Sequence, residues 1–379
     1  MKILQISASY KPAFIYGGPT MSVSMLSEQL AQTGISISVF TTTANGQHEL
    51  EVQPNTSMLV DGIEVSYFKR ITKDHSHFSP LLLKAVWKNA KTYDLVHIHA
   101  WWNLVSILSC LIALICRVPV LVSPRGTLSS YSFSNRNTGI KAIIHRFLGK
   151  PILKRCHIHT TSKREDDTIA HLISPKSIST ISNFVKLPVI PLSESGLPSP
   201  TLKLIFFSRI EEKKGLDILI NALALVNIPF SLTIAGDGNR DYIKSLQILA
   251  DKKRISDKIT WVGFIQENKF DVLRQHDLFI LPSYDENFGN VVIESLAVGT
   301  PVLVSEGVGL ADYVIQNQLG WTCKTNEASV AQAINQIAGQ SDKFTYIRQN
   351  APQAIARDFG NQNLVKKYKD LYNKIILSN

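Results

Sequence analysis

Short aliphatic runs that alternate with longer helical patterns constrain the fold of this chain more than any other feature. Five runs in the first half predict strands at residues 2–8, 35–42, 63–68, 94–99 and 118–123, and helical patterns fill the intervals at residues 20–32, 80–91, 104–116 and 139–154. The first, fourth and fifth runs are nearly continuous, which is typical of parallel strands buried on both faces. The alternation predicts a doubly wound α/β domain.

A proline-rich segment separates this series from a second one. Residues 185–201 carry four prolines and no periodicity, so we predict an interdomain linker there. Strands are predicted again at residues 202–207, 231–236, 259–262, 278–282 and 301–305. A chain of 379 residues is also too long for one ordinary core. We therefore predict two domains, 1–184 and 202–360, followed by a C-terminal helix at 361–379.

The net charge of +10 lies entirely in the first half of the chain. Residues 1–190 carry 20 Lys and Arg against 10 Asp and Glu, whereas residues 191–379 carry 20 of each. Such a field attracts an anionic partner, either membrane lipid or a phosphorylated substrate, although solubility alone explains it equally well. Nucleic acid is the weakest alternative, because the basic residues are not interleaved with a binding motif. We expect no nucleic-acid partner.

Cysteine usage and hydropathy favour a cytoplasmic location. The four cysteines form no CxxC pair and no metal-ligand spacing, so we expect reduced core residues, and the opening "MKILQIS" predicts a strand without a secretory leader. The most apolar run, residues 104–116, is shorter than the ~20 residues that span a bilayer. It predicts a buried helix.

Several strand ends carry residues suited to an anionic ligand. Gly17 and Gly18 precede the first helix, where paired glycines let a phosphate or a sugar approach the backbone, although a plain turn explains them as well. Arg209 and Lys214 follow the strand at residues 202–207, just before a helix, where cations are unfavourable unless they bind something such as a diphosphate. Gly236 and Gly263, at two further strand ends, are weaker candidates for close approach to a base or ribose.

The stretch "ENFGNVVIES" places Glu286 and Glu294 on either side of a predicted helix start near Gly289. Glu294 lies among aliphatic residues, and a buried carboxylate without a partner is costly, so we expect a group that holds it. Asn287, Phe288, Gly289 and Asn290 offer N–H groups at a helix N-terminus, which suits phosphate. A fully helical stretch would separate the two carboxylates by ~12 Å along the axis, enough to reach a sugar and a ribose.

Two motifs that the sequence lacks limit the kinds of ligand site and reaction that it supports. No D-x-D triplet occurs in the sequence, so a metal-bridged diphosphate site is unsupported and cationic side chains with a helix end are expected instead. No G-x-G-x-x-G motif occurs, which disfavours a nicotinamide-dependent dehydrogenase. We expect neither a metal nor a cofactor.

Taken in order, these motifs resemble the retaining glycosyltransferases of family 4. The resemblance rests on Gly17-Gly18, the strand end at 94–99, Ile181-Ser-Asn183, Arg209 with Lys214-Gly215, Gly236-Asp-Gly238, Val262-Gly263, and the Glu286 to Glu294 pair with seven residues between. It implies a GT-B fold, two facing Rossmann-like domains with a central cleft. It also implies a metal-independent hexosyltransferase that moves a sugar from a UDP- or GDP-sugar with retained configuration.

The resemblance assigns roles residue by residue. Arg209 and Lys214 would hold the diphosphate, Glu286 the sugar hydroxyls and Glu294 the ribose. Asn287, Phe288, Gly289 and Asn290 would offer backbone contacts, and Gly18 would close over the donor. One departure is that Arg125 stands where many members have a histidine near the reacting sugar. His99 is a candidate for that role, and a satisfied histidine at a strand end is the equal alternative.

The acceptor and the location remain open at this point. The helix at 139–154 is basic and amphipathic, which is typical both of a membrane-surface element and of a helix packed on a sheet. We expect a glycan or lipid-linked anionic acceptor in surface polysaccharide biosynthesis, with peripheral attachment to the inner face of the membrane. A nucleotide-sugar-binding partner subunit without catalysis is the alternative, because Arg125 replaces the histidine.

Overall fold

The computed structural model describes residues 1–129, 145–188, 201–265 and 267–378. The chain divides into two compact units. The first unit comprises Met1–Val185 and Asn361–Asn379, and the second comprises Lys186–Gly360.

A mostly parallel sheet forms the centre of the first unit. Its described strands are β1 (Lys2–Ser7), β2 (Ser36–Thr42), β5 (Ser57–Val60), β6 (Ile63–Phe68), β7 (Leu95–His99), β8 (Val120–Ser123), β9 (His157–Thr160) and β10 (Ser177–Thr180), and a separate hairpin consists of β3 (Ala44–Asn45) and β4 (His48–Glu49). The strand order of the large sheet is β10-β9-β8-β7-β1-β2-β6-β5, and within the described part of that sheet only the β5–β6 pair is antiparallel. The chain reverses its direction of winding between β1 and β7, so the sheet has its switch point there.

Helices cover both faces of this sheet. They are α1 (Gly18–Ala31), α2 (Pro80–Asn89), α3 (Leu104–Ile115), α4 (Lys150–Leu153), which follows a π-helical turn at His145–Gly149, and α5 (Lys163–Leu172). Three of them begin at polar caps that accept from the third residue of the helix: Ser79 from Leu82 N–H, Asn103 from Ser106 N–H, and Ser162 from Glu165 N–H. Alternate residues of β1 enter two separate cores, Leu4 and Ile6 on one face and Ile3 on the other. This explains the continuous apolar runs in the sequence.

The second unit has a fully parallel sheet among its described strands. These are β11 (Leu202–Phe207), β12 (Phe230–Ala235), β13 (Ile259–Gly263), β14 (Leu278–Leu281), β15 (Val302–Ser305) and β16 (Gly320–Cys323), in the order β13-β12-β11-β14-β15-β16. Its helices are α6 (Leu216–Leu223), α7 (Arg240–Lys252), α8 (Lys269–Arg274), α9 (Asn290–Ala297), α10 (Ala311–Gln316), α11 (Glu327–Ile337) and α12 (Ser341–Phe359). The switch point of this sheet lies between β11 and β14.

The last helix, α13 (Asn361–Leu377), belongs to the first unit. Its apolar face includes Leu364, Tyr368 and Tyr372, all at most 1% exposed, and packs into the core that also contains Ile3. The sequence left the docking of this helix open.

Six of the described strands escaped prediction: β3, β4, β5, β9, β10 and β16. The sequences of β9 and β10, HIHT and SIST, each contain one apolar residue among polar ones, and His157, His159 and Thr160 of β9 form hydrogen bonds inside the protein. The predicted helix at 139–154 is described only from His145 onward, and its first part lies outside the described residues. Most of the predicted linker, from 189 to 200, also lies outside them.

The sequence predicted reduced cysteines and a helix at residues 104–116, and the structure agrees with both predictions. Cys110, Cys156 and Cys323 are buried, Cys116 is half-buried, and all four are free thiols. Residues 104–116 form α3 with its cap, and within the described ranges no helix is long and apolar enough to cross a membrane. The described residues also contain no group of three His, Cys, Asp or Glu side chains arranged to hold a metal ion.

Candidate functional site

Three loops of the second unit follow the carboxyl ends of neighbouring strands. They are residues 208–215 after β11, 282–289 after β14 and 306–310 after β15, so the first two flank the switch point, where open α/β sheets bind ligands. The loops fit closely against one another. Tyr284 N–H donates to the Lys213 carbonyl at 2.9 Å, and a Cβ on Gly215 would overlap the Pro282 carbonyl oxygen.

Two backbone hydrogen bonds hold Glu286 in position, in addition to the contacts of its side chain. Its N–H donates to the Gly307 carbonyl at 2.9 Å, and its carbonyl accepts from Gly309 N–H at 2.7 Å. Residue 286 is therefore in a loop paired with residue 308, not in a helix. The ~12 Å separation expected for a fully helical stretch does not apply, because α9 begins only at Asn290.

The side chain of Glu286 forms an ion pair with Lys214. Lys214 Nζ contacts Glu286 Oε2, and 7% of the lysine and 19% of the glutamate side chain are exposed. Burial alone would raise the pKa of Glu286, but Lys214, Lys213 and Arg209 outweigh burial and lower this pKa below its usual value. The carboxylate is thus ionised at neutral pH beside a buried cation.

Arg209 and Lys214 occupy different environments. Arg209 lies beyond β11 with 49% of its side chain exposed, and its Nη1 is 2.6 Å from Glu211 Oε1. Lys214 is buried at the end of a short 3-10 turn (Glu212–Lys214). The two predicted diphosphate-binding cations therefore follow the same strand, but only Lys214 is held in a fixed position by a buried contact.

Glu294 lies one turn into α9 and is held by Lys269. Lys269 Nζ donates to Glu294 Oε1 at 2.5 Å, and 10% of the glutamate side chain is exposed. Burial raises the pKa of Glu294 above its usual value, and Lys269 lowers it only in part. The sequence predicted a holding group for this buried acid but did not identify Lys269, which lies 25 residues earlier.

The N-terminus of α9 has no side-chain cap. Gly289 precedes the helix with φ 96° and ψ 64°, a left-handed conformation that favours glycine, and it provides no capping side chain. No acidic residue lies in the first turn. No side chain caps the positive end of the helix dipole, and the Glu286 side chain, which pairs with Lys214, lies beside Gly289. Asn287, Phe288 and Asn290 flank this glycine, and Phe288 is buried against Phe359.

The two glycines at the ends of β12 and β13 differ in surroundings. A Cβ on Gly236 would overlap the Ser208 carbonyl oxygen, and one on Gly238 would overlap the Ile210 carbonyl oxygen, so the chain after β12 needs glycine in order to pack on the loop after β11. Gly263 has φ 71° and open space where a Cβ would be. Close approach of backbone to backbone therefore accounts for Gly236 without a ligand.

In the first unit, Gly17 and His99 follow the two strands at the switch point. Gly17 has φ 67° and ψ −139°, with open space around a Cβ, and Gly18 is the first residue of α1. His99 is 1% exposed at the end of β7. Burial, then His97 and Arg125, lower the pKa of His99 well below its usual value, so the ring is neutral.

Arg125 lies beside His99 in the turn that follows β8. Its Nε is 3.4 Å from His99 Nδ1, and its Nη1 donates to Asn183 Oδ1 at 2.7 Å. Arg125 itself has φ 52°, and the next residue, Gly126, donates its N–H to Glu165 Oε1 at 2.6 Å. Arg125, which stands where the family resemblance led us to expect a histidine, therefore lies next to His99.

The structure assembles the predicted residues into two groups. One, in the second unit, comprises Arg209, Lys214, Glu286 and residues 287–290, with Glu294 farther along α9; the other, in the first unit, comprises Gly17, Gly18, His99 and Arg125. The sequence missed Lys269 and Glu165, and it singled out Asn183 without indicating its contact with Arg125. A signal for Glu165 was available, since an acid three residues after Ser162 is typical of a helix start, but nothing indicated its contact with Gly126.

Comparisons with known proteins define the family. The model described as Glycosyltransferase Family 4 matches residues 16–187, and the model described as Glycosyl transferases group 1 matches residues 193–354. An uncharacterized glycosyltransferase of Methanocaldococcus jannaschii is 24% identical over 98% of this chain and 98% of its own length.

Two solved structures share the fold. Sucrose-phosphate synthase from Thermosynechococcus elongatus superposes with a TM-score of 0.76 at 20% identity over all of both chains. HepE from Anabaena, in complex with UDP-glucose, has a TM-score of 0.74 at 20% identity over 99% of this chain and all of its own. These structural similarities establish the fold, and the two family models together span most of the chain. The chain is a glycosyltransferase of the family 4 type with the GT-B fold.

Proposed function

We propose that this glycosyltransferase transfers a hexose from a nucleotide diphosphate sugar, with retention of configuration, to a glycan or lipid-linked acceptor. The observation that supports the donor site best is the pairing of a buried cation, Lys214, with the fixed carboxylate of Glu286 beside an uncapped helix N-terminus. The cation and the helix end suit a diphosphate, whereas the carboxylate suits sugar hydroxyls. HepE, which has the same fold, binds UDP-glucose.

In this proposal the chain itself neutralises the leaving group. Lys214, Arg209 and the N–H groups at the start of α9 bind the diphosphate and stabilise the charge that develops on it. Glu286 accepts hydrogen bonds from the donor sugar, and Glu294 accepts from the ribose. The acceptor hydroxyl attacks on the face from which the nucleotide departs, and the leaving phosphate takes its proton. No side chain acts as a nucleophile, and neither a metal nor a cofactor is required.

Nucleotide release from a donor panel tests the proposal. The protein is incubated with UDP- and GDP-hexoses, with and without candidate acceptors, and free UDP or GDP is measured. Transfer or slow hydrolysis from at least one donor is expected. The anomeric configuration of the product, determined by NMR, decides between retention and inversion. Activity that survives EDTA treatment supports metal independence, and activity abolished by EDTA and restored by a divalent ion contradicts it.

The alternative is a nucleotide-sugar-binding subunit without catalysis. Arg125 in place of the histidine is the observation that favours it. Binding of a UDP- or GDP-sugar by calorimetry, combined with no release from any donor, would support this alternative. Release that is lost in Glu286→Ala would reject it.

We further propose that the acceptor is anionic and that the protein binds the inner face of the membrane peripherally. Phe147 is 73% exposed in the turn before α4, and the exposed cations Arg146, Lys150, Lys154 and Arg155 surround it in the sequence. An aromatic ring among cations suits an anionic bilayer surface. The first half of the chain also carries the whole excess of positive charge. Surface polysaccharide biosynthesis, which uses lipid-linked acceptors, is the pathway we propose.

Vesicle sedimentation tests the membrane proposal. Vesicles with anionic lipid are expected to carry the protein into the pellet at low salt, and Phe147→Ser is expected to reduce the pelleted fraction. Phe264→Ser is the matched control, because Phe264 is similarly exposed (69%) but belongs to the second unit. Equal sedimentation of all three proteins, or binding unaffected by salt, would contradict the proposal.

A further inference from the structure

Buried polar side chains lie on one face of neighbouring strands in the first unit. His97 of β7, Ser123 of β8 and His159 of β9 are all fully buried. β7, β8 and β9 are consecutive in the sheet, and α13 packs on the same face. Buried polar groups such as these are costly inside a core unless every donor and acceptor is paired. The partners of each group therefore determine which atoms carry the protons.

The hydrogen bonds form a chain with one direction. His159 Nε2 lies 2.8 Å from the Ile181 carbonyl, which only accepts, and 3.1 Å from the Tyr368 hydroxyl. We assign the proton to this nitrogen, because a bare Nε2 would leave its lone pair facing the nearer carbonyl oxygen. His159 Nδ1 then accepts from the Ser123 hydroxyl at 2.7 Å, and the Ser123 oxygen accepts from His97 Nε2–H at 2.7 Å. His97 Nδ1 consequently accepts from the Tyr372 hydroxyl at 2.8 Å. With this assignment at His159, the other hydrogen bonds of the chain place the proton of His97 on Nε2 as well.

The chain requires both imidazoles to be neutral, and the surroundings keep them so. Burial, then His159 and Arg125, lower the pKa of His97 well below its usual value. Burial, then Arg125, lower the pKa of His159 to about 3. A doubly protonated ring has no acceptor nitrogen, so protonation of either ring would break the chain.

The Ile181 end of the chain and two of its inner members, Ser123 and His97, lie close to Arg125. Ile181 is two residues before Asn183, whose side chain accepts from Arg125 Nη1 at 2.7 Å. Ser123 is two residues before Arg125 itself. On the other side, the His97 ring lies 4.1 Å, centroid to centroid, from the His99 ring, which faces Arg125 Nε. Because Arg125 has a positive φ of 52°, its conformation needs support from outside the turn.

We propose that Tyr372, His97, Ser123 and His159 are positioning residues, which hold Arg125 and His99 in the orientation used in sugar transfer. The inference rests on the proposed function only in giving Arg125 and His99 a substrate contact. It assigns α13 a role beyond packing, because Tyr372 supplies the first donor of the chain.

NMR on the full-length protein without substrate tests the chain. With 15N-labelled histidine, His97 and His159 are expected as Nε2–H tautomers that do not titrate between about pH 5 and pH 8. The Arg125 Nε–H signal, identified by its loss in Arg125→Lys, is expected to exchange with water about 10-fold faster in Ser123→Ala. Ser109→Ala is the matched control, since Ser109 is equally buried and its hydroxyl has no hydrogen-bond partner among the described residues. If Ser123→Ala does not fold, Tyr372→Phe, which keeps the ring, replaces it.

Three results would overturn the proposal: Nδ1–H tautomers in His97 and His159, titration of either ring in that range, or unchanged Arg125 exchange in a folded Ser123→Ala. Once a donor is found, kinetics adds an independent arm. Ser123→Ala is expected to lower kcat about 10-fold with the donor KM unchanged, and to cause no further loss in an Arg125→Lys background. Full additivity of the two substitutions would also overturn it. Absence of transfer from every donor would contradict the proposed function and leave the NMR result standing.

Discussion

Replacing Lys269 with methionine should lower the free energy of unfolding, because Glu294 is then buried without its ion-pair partner. The two groups are 2.5 Å apart, and 10% of the glutamate side chain is exposed. Removing one partner of a buried ion pair costs ~3–5 kcal/mol, because the other charge is left uncompensated. Water reaches the lysine, whose side chain is 23% exposed, so we expect the smaller loss of ~2–3 kcal/mol in the free energy of unfolding at neutral pH.

The loss should depend on pH in a direction that the pKa shift determines. Burial raises the pKa of Glu294 above its usual value even with Lys269 present. A group with a higher pKa when folded binds more protons in the folded state, so its stabilising contribution is present at low pH and declines as the pH rises through the folded-state pKa. Methionine raises that pKa further. The destabilisation should therefore be small near pH 4 and reach its full size by about pH 7.5.

Urea-induced unfolding, followed by circular dichroism at both pH values, measures this effect. Lys258→Met is the matched control: its ammonium lies 4.9 Å from the ring centroid of Phe230, as that of Lys269 lies 5.0 Å from Phe270, but no ion pair with a carboxylate is formed by Lys258 among the described residues. Equal destabilisation by the two substitutions, or a loss in Lys269→Met that is the same near pH 4 and pH 7.5, would refute the reasoning.

Three further predictions concern the same unit and the first glycine loop. Glu286→Ala should lower turnover by roughly 10²–10³-fold with an unchanged circular dichroism spectrum, as expected for loss of one preorganised contact, and wild-type turnover would rule out its role. Glu294→Gln should weaken nucleotide binding by roughly 1–3 kcal/mol in calorimetry if a hydrogen bond to the ribose is lost; unchanged affinity would contradict the ribose contact. Gly236→Ala should lower the melting temperature more than Gly17→Ala, because only the Cβ at 236 overlaps a carbonyl oxygen, that of Ser208, whereas the cost at 17 is roughly 1–3 kcal/mol of backbone strain. Equal melting temperatures would contradict the packing argument.

Local patterns were sufficient to predict where the loops of the candidate site in the second unit begin. Strand runs end at Phe207 and Leu281, and the structure places their ends within one residue of the prediction. The helix start near Gly289 was also predicted, because a glycine followed by an aliphatic run is a local signal. These features depend on a few consecutive residues, and local sequence specifies them.

Contacts between distant residues could not be predicted in the same way. Lys269 and Glu294 meet because α8 and α9 pack together, and nothing in the stretch around either residue indicates the other. The hydrogen-bond chain from Tyr372 to Ile181 joins residues as far apart in sequence as His97 and Tyr372, and its histidines only interrupted the apolar pattern of the strands. The missed strand β9 and the missed hydrogen-bond chain have the same cause, since buried polar residues obscure a strand until their partners are known.

The place of α13 in the first unit has a consequence for biosynthesis. On a ribosome, residues 1–185 emerge before the second unit, yet the helix that supplies Tyr368 and Tyr372 to their core is synthesised after it. The second unit, being continuous in sequence, has all its residues available before that helix is made. The nascent first unit must therefore wait with an apolar face uncovered until residues 361–379 have been synthesised, and a chaperone could cover that face in the interval. An N-terminal fragment that ends at Val185 would keep that exposed face permanently, and a protein for separate study of this unit should include residues 361–379 joined by a linker.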